Sequence, residues 1–403
     1  MSAATSPPAH EPGVLDALAL LGHATEELLV GGIRDTHHAW ADRVHGVVRE
    51  ATGGASAVPE LAHRAISSAV FAGVGAGLRT ASHGLDRLGR RGHGPRLEAT
   101  PRGRFVSSAV NGLIGDRLVR ERPHLAFPMA VRSEGRDVPL EPAALARAFP
   151  EAAQRIVVFV HGLCENESYW RHRRAERGPT YAEALGAEGW TPVMLRANTG
   201  LGVRENGVAL SSLMQRLVEH WPTEVARIAM IGHSMGGLVI RAAGAVVDAE
   251  PGERRGPAGA TDWTRLVSDV VTLGTPHLGA PIARGIGHGS RALSRLPETA
   301  AIGRFLDWRS AGVHDLVAGL AADVPPMPRA RYRLVAATVT GSPRHPVGHV
   351  VGDLLVRVPS ACGHDRHGVE LFPGAEVLHV GRADHFDLLN HAHVHRALRS
   401  WLG

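Results

Sequence analysis

The sequence predicts an α/β fold: a mostly parallel sheet with helices on both faces, a helical region in front of it and a helical insertion late in the chain. Three observations carry this. From about His124 onward, short β-rich runs at 125–132, 155–160, 192–196, 227–231, 267–273, 332–339 and 375–380 alternate with helix-patterned stretches at 181–188, 207–220, 238–248 and 388–402. The runs are apolar throughout instead of alternating, as expected for strands covered on both faces. The run at 227–231 meets a serine set between glycines and continues as a helix-compatible segment.

In chain order, residues 1–13 are rich in Pro, Ala and Ser and are expected to be disordered. Leu18, Leu21, Leu28, Leu29 and Ile33 fall at helical spacing, Trp40, Val44 and Val47 continue a similar pattern, and 65–88 offers another helix. Between Gly84 and Arg104, six arginines stand among glycines and two prolines. This composition reads as an exposed linker, with a basic collar touching anionic lipid as the competing reading. The domain joint is therefore set at its end, dividing a helical region, 14–104, from the main domain, 105–403. Phe105, Val106, Val110, Leu113, Ile114 and Leu118 form a further apolar stripe, expected to pack on the main domain.

The chemistry is expected at Gly232-His233-Ser234-Met235-Gly236, which fits G-x-S-x-G between a strand and a helix. A sharp turn there pushes the Ser234 hydroxyl into the open at the positive end of a helix. Acyl transfer through a serine also needs two preorganised donors for the oxyanion. The Met235 amide follows the serine, and the strand ending in His161-Gly162-Leu163 offers the Leu163 amide. Cys164 lacks an elbow and reads as a small packed side chain.

A serine needs a base, and the base an orienting acid, in the chain order Ser, Asp or Glu, His. With 25 histidines, position decides. His385 stands just beyond the last predicted strand. His391 and His395 share a face of the final predicted helix by their spacing, but without the Glu of a protease-like zinc motif they read as a solvated face, so no metal site is expected. Asp353, after the penultimate strand, is the expected acid. Asp387 and Asp365 are alternatives, and Asp384 adjoins His385 too closely to turn back onto its Nδ1.

From about Leu125 to the C-terminus these motifs resemble bacterial lipase/esterase-type α/β-hydrolases, including the branch related to glycosylphosphatidylinositol inositol deacylases. The resemblance rests on the His-Gly-Leu loop, on Gly-His-Ser-Met-Gly-Gly and on Gly274-Thr-Pro-His-Leu-Gly279, in that order. The family's Gly-Asp-Gly-Leu-Val-Pro stands here as Gly352-Asp-Leu-Leu-Val-Arg357, two substitutions around Asp353. His385-Phe-Asp-Leu-Leu is similar to the family's catalytic His-x-x-Leu-Leu. The resemblance implies a serine ester hydrolase acting on a hydrophobic or lipid ester through an acyl-enzyme, with no cofactor. The same triad could serve an acyltransferase, and a catalytically silent binding module is the alternative from another class. His277 is implied to be structural. Asn198 and Asn206 read as loop-ordering hydrogen-bond formers or helix caps. Residues 281–328, where lipase-like relatives place a lid, show apolar residues at near-helical spacing, with Phe305 and Trp308 as candidate substrate contacts.

All 44 cationic side chains are arginine, and the net charge is only +5. Without a recognisable nucleic-acid motif this argues against nucleic acid as a partner, while leaving room for peripheral contact with an acidic membrane surface. Two cysteines, Cys164 and Cys362, frame no disulfide scaffold. The first residues lack a positive n-region, and no run reaches the roughly 20 apolar residues of a membrane span. The expectation is a cytoplasmic protein, soluble or membrane-peripheral.

Overall fold

The computed structural model describes residues 13–24, 57–91, 96–248, 262–280, 310–320, 324–345, 348, 352–364 and 370–403. The chain divides into two compact units, one of residues 1–107 with 285–309, the other of residues 108–284 with 310–403.

In the first unit, α1 (Val14–Ala24) packs against the long α2 (Ala57–Arg90). The helix therefore runs on through the arginine-rich stretch as far as Arg90 before the expected linker composition ends it. Asp16 Oδ2 accepts the Gly13 N–H at 2.8 Å, satisfying one of the donors that a helix start leaves open.

The second unit is built on an eight-stranded sheet in the order β2-β1-β4-β3-β5-β6-β7-β8. Its strands are β1 (Ala130–Ser133), β2 (Arg136–Val138), β3 (Arg155–Val160), β4 (Thr191–Arg196), β5 (Arg227–His233), β6 (Val267–Leu273), β7 (Arg331–Thr338) and β8 (Glu376–Gly381). Strands β3 to β8 run parallel, while β1 pairs antiparallel with both β2 and β4. The apolar runs are covered on both faces. Val158, Val160, Ile228, Met230 and Val270 enter one core cluster, and Val157, Phe159, Ala229, Ile231 and Val271 the other. Period-two alternation thus sends successive residues into two different cores.

The covering helices include α4 (Pro142–Ala148), α5 (Tyr181–Ala187), α6 (Val203–His220), α7 (Met235–Asp248), α8 (Ala311–Ala318) and α9 (Ala392–Leu402). The last begins four residues later than the sequence suggests. Phe386–Leu389 forms a separate 3-10 turn, and His391 is the N-cap of α9, its ring accepting the His393 N–H at 3.2 Å. His395 turns its Nε2 to Asn390 Oδ1 at 2.7 Å. The two histidines are therefore committed separately, one as a cap and one to Asn390.

The helix α3 (Pro101–Glu121) differs from expectation in its buried face. Phe105, Val106 and Leu113 of the apolar stripe are exposed, whereas Ser108, Asn111, Gly112, Ile114, Gly115 and Leu118 are buried. Small residues let the backbone come close. A Cβ at Gly112 would lie 2.5 Å from Cys164 Sγ and 2.8 Å from its backbone nitrogen, so only glycine fits. Asn111 bridges to the next segment, its Nδ2 donating to the Leu125 carbonyl at 3.0 Å. Backbone proximity has overridden the apolar stripe here.

Of the late insertion, residues 281–309, with Phe305 and Trp308, lie outside the described residues. The described part holds α8, whose N-cap Ser310 donates to the Gly112 carbonyl at 2.7 Å. Asp315 Oδ2 accepts the Val203 N–H at 2.7 Å, at the start of α6. Among the described residues, no helix is long and apolar enough to cross a membrane.

Candidate active site

The segments expected to carry chemistry converge at the carboxyl edge of the sheet, where α/β folds bind ligands. Ser234 sits between β5 and α7 with φ 51°, a left-handed conformation costly for a residue with a Cβ. Two contacts hold it there. Its N–H donates to the Leu273 carbonyl at 2.9 Å, and its own carbonyl accepts the Gly237 N–H at 3.2 Å. Tight packing below leaves no room for a side chain at Gly236, where a Cβ would stand 2.2 Å from the Val160 carbonyl oxygen. Glycine is required because the start of α7 rests directly on the end of β3.

His385 and Asp353 meet across 32 residues of sequence. Asp353 Oδ2 lies 2.7 Å from His385 Nδ1, and the His385 N–H donates to the Asp353 carbonyl at 3.0 Å. The other carboxylate oxygen, Oδ1, accepts the Leu355 and Val356 N–H groups at 3.0 and 2.7 Å. Both oxygens are thereby fixed. Asp353 and His385 are almost fully buried. With Nδ1 given to the carboxylate, Nε2 is the free face of the ring, and it has no hydrogen-bond partner among the described residues, Ser234 Oγ included. Such contacts commonly tighten only when substrate binds. The two residues are nonetheless close neighbours. Ser234 bonds to Leu273, and a Cβ on the next residue, Gly274, would lie 3.1 Å from His385 Cε1.

The loop after β3 places a free amide beside the serine. The Gly162 N–H donates to Glu165 Oε2 at 2.7 Å and the Cys164 N–H to Thr199 Oγ1 at 3.0 Å. Between them, the Leu163 N–H has no partner among the described residues. Met235 is the first residue of α7, where no intrahelical acceptor exists for its N–H. His161 anchors the loop, with Nδ1 facing the Gly162 carbonyl at 2.9 Å and Nε2 accepting the Ala197 N–H at 3.0 Å. One nitrogen donates and the other accepts, so the ring is neutral. Burial lowers its pKa accordingly.

Among the described residues, the competing carboxylates are occupied elsewhere. Asp387 pairs with Arg173 and Arg177 at 2.8 and 2.6 Å. Asp384 Oδ1 accepts the Phe386 and Asp387 N–H groups, and Asp365 lies outside the described residues. Burial pushes the Cys164 thiol up to about 11, which disfavours the thiolate a nucleophile needs. Asn206 Nδ2 donates to the Asn198 and Leu201 carbonyls at 3.0 and 3.1 Å, the loop-ordering role its position suggests. A second buried pair, His233 and Glu165, is joined by no sequence motif and comes together only in the fold.

Residues 150–304 match the family model described as "Putative serine esterase (DUF676)". The matched segment contains Ser234 and supports a carboxylic ester hydrolase. The chain's eight-stranded, mostly parallel sheet with helices on both faces is of the α/β class. No curated relative matches the chain by sequence. Among solved structures, the ester hydrolase is similar to the mature lipase BlEst2 of Bacillus licheniformis, at 18% identity over 69% of this chain and 99% of that one, with a TM-score of 0.42. It is also similar to lipase 1 from Pelosinus fermentans, at 15% identity over 62% and 98%, with a TM-score of 0.39. Carboxylesterase CesB from Bacillus subtilis matches at 11% identity over 62% and 84%, with a TM-score of 0.35.

His277, in the Gly-Thr-Pro-His stretch, is fully buried against Phe372, with ring centroids 4.6 Å apart. Burial, with the nearby Arg241 cation adding to it, lowers its pKa from 6.5 to about 3. Because the unfolded chain binds this proton more readily, the resulting stability is fully present above about pH 6.5 and is lost as pH falls towards 3. Each unit in that window costs about 1.4 kcal/mol, so roughly 2 kcal/mol should be gone by pH 5. His161 contributes in the same direction. Denaturant titrations at pH 7 and pH 5 should therefore show a smaller acid loss in His277→Met than in the parent protein. An equal loss in both would assign the acid sensitivity elsewhere.

Proposed function

We propose that the ester hydrolase cleaves acyl esters of hydrophobic or lipid alcohols or acids through an acyl-enzyme on Ser234. The observation that carries this reading is His385, tethered to Asp353 through Nδ1 and unpartnered at Nε2 among the described residues, beside the elbow that holds Ser234 at φ 51°. Ser234 Oγ attacks the ester carbonyl carbon as His385 Nε2 takes its proton. The carbonyl π electrons move onto oxygen, and the Leu163 and Met235 amides receive that oxyanion. Collapse expels the alcohol, which leaves with the proton from His385. Water then repeats the sequence on the acyl-enzyme, releasing the acid and restoring the serine. Asp353 keeps the imidazole in the tautomer that can accept a proton at Nε2 and stabilises the imidazolium that forms.

The preference for apolar substrates draws support from the side chains beside the triad. Leu354 and Leu355 follow Asp353, Phe386 follows His385, and all three are exposed. Exposed apolar side chains beside a reactive centre suit an acyl chain or a lipid surface. This also agrees with peripheral membrane contact as a route to substrate. A panel of esters of graded acyl length tests the reading. We expect kcat/KM to rise with acyl length, and we expect Phe305→Ala/Trp308→Ala to flatten that rise while the Tm stays near that of the parent. Equal kcat/KM across the panel would remove the hydrophobic assignment and leave the serine chemistry standing.

A further inference from the structure

Beside the proposed triad, a second buried carboxylate faces a second imidazole. His233, the residue before Ser234, sets its Nδ1 3.0 Å from Glu165 Oε1 and 3.1 Å from Oε2. Its Nε2 lies 3.2 Å from the main-chain carbonyl oxygen of His385. Both ring nitrogens thus face acceptors, which suits a doubly protonated imidazolium held against a carboxylate. Glu165 in turn accepts the Gly162 N–H, one residue before the unpaired Leu163 amide. A continuous chain of contacts therefore runs from the oxyanion loop, past the serine, to the backbone of the base. The His233 and His385 ring centroids are 4.7 Å apart. The approach is close throughout, since a Cβ on Gly162 would lie 3.0 Å from both Glu165 Oε1 and Ser234 Cβ.

We propose that Glu165 and His233 are positioning residues that hold the Leu163 amide and the His385 loop in register with Ser234. The inference rests on the reading of Ser234 as nucleophile. Burial works against both charges, yet the His233 cation holds the Glu165 carboxyl below the usual range, and the Glu165 carboxylate holds the His233 imidazole above its usual value. A buried pair of this kind adds little stability that well-packed apolar residues could not match. Its placement at this point, touching the oxyanion loop, the elbow and the base, fits a demand for geometry. Misplacement of reacting groups by about 1 Å can cost about 10²-fold in rate.

The test compares Glu165→Gln with the double variant Glu165→Met/His233→Phe. Glutamine keeps an acceptor for the Gly162 N–H but cannot hold the imidazolium. We expect its kcat to fall about 10²-fold while KM stays within about 3-fold, with an equal fall in the rate of fluorophosphonate labelling. The double variant fills the same space without charge, so it should recover thermal stability while kcat stays low. Recovery of kcat along with stability in the double variant, or an unchanged kcat in Glu165→Gln, would make the pair a packing feature and overturn the proposal. The parent protein separates the two readings. If it labels at Ser234 and Glu165→Gln labels at the same rate, only the positioning role fails. If the parent does not label at Ser234, the nucleophile reading fails and this inference with it.

Discussion

Ser234→Ala is expected to lower ester turnover by about 10⁶-fold while leaving the fold intact, on the scale seen when a triad serine is removed. The reason lies in what the hydroxyl does not do. Among the described residues Ser234 Oγ donates no hydrogen bond, so its loss strands no buried partner and opens only a hydroxyl-sized space. The backbone strain at φ 51° remains, since alanine also carries a Cβ. Ser234→Gly relieves it. Equilibrium unfolding should therefore rank the glycine variant about 1 kcal/mol above the alanine variant, with both inactive. Equal stabilities would mean that the elbow stores no conformational strain.

Asp353→Asn is expected to lower kcat by about 10⁴-fold with little effect on stability. Two backbone N–H groups already point at Oδ1, which fixes the orientation of an amide at this position. The amide oxygen must stay with those donors, so the amide nitrogen faces His385 Nδ1. An N–H there can only be accepted by an unprotonated Nδ1, which places the ring proton on Nε2. That tautomer cannot take the serine's proton. Because every buried hydrogen bond is still made, the unfolding midpoint should move little. Steady-state kinetics and a denaturant titration on the same preparation check both halves. If Asp387→Asn produces the larger loss of kcat, the orienting acid is on the other side of His385.

Much of the fold was legible because the central strands are buried on both faces, which forces unbroken apolar runs such as Ile156-Val157-Val158-Phe159-Val160. The edge strand β2 carries no such run. Its residues Arg136, Asp137 and Val138 are polar or only half-buried, and its pairing with β1 depends on the tight turn at Glu134 and Gly135, with φ 50° and 76°. Asp137 ties it in through ion pairs with Arg132 and Arg196, which no local pattern announces. The buried face of α3 departs from its apolar stripe for a related reason. Periodicity marks where apolar side chains recur, whereas this helix is buried through the small residues that permit contact with the loops at Cys164 and Asn198.

For the candidate site, the serine, its neighbouring amide and the preceding loop follow from local sequence, because the strained turn demands glycines at fixed offsets. Asp353 follows from chain order and from the resemblance of 352–357 to the family's acid motif, and its contact with His385 belongs to the tertiary structure. The Glu165–His233 pair spans 68 positions and buries a glutamate, a residue type that is rarely fully buried unless paired. Only the folded arrangement reveals it.

The central claim is that Ser234 is an activated nucleophile, and the most direct measurement is the site of covalent modification by a fluorophosphonate. Peptide mapping of the labelled protein should find one phosphonyl adduct per chain, on the peptide containing Gly232-His233-Ser234-Met235-Gly236, and Ser234→Ala should take up none. Labelling on a different residue, or unchanged labelling of Ser234→Ala, would contradict the account.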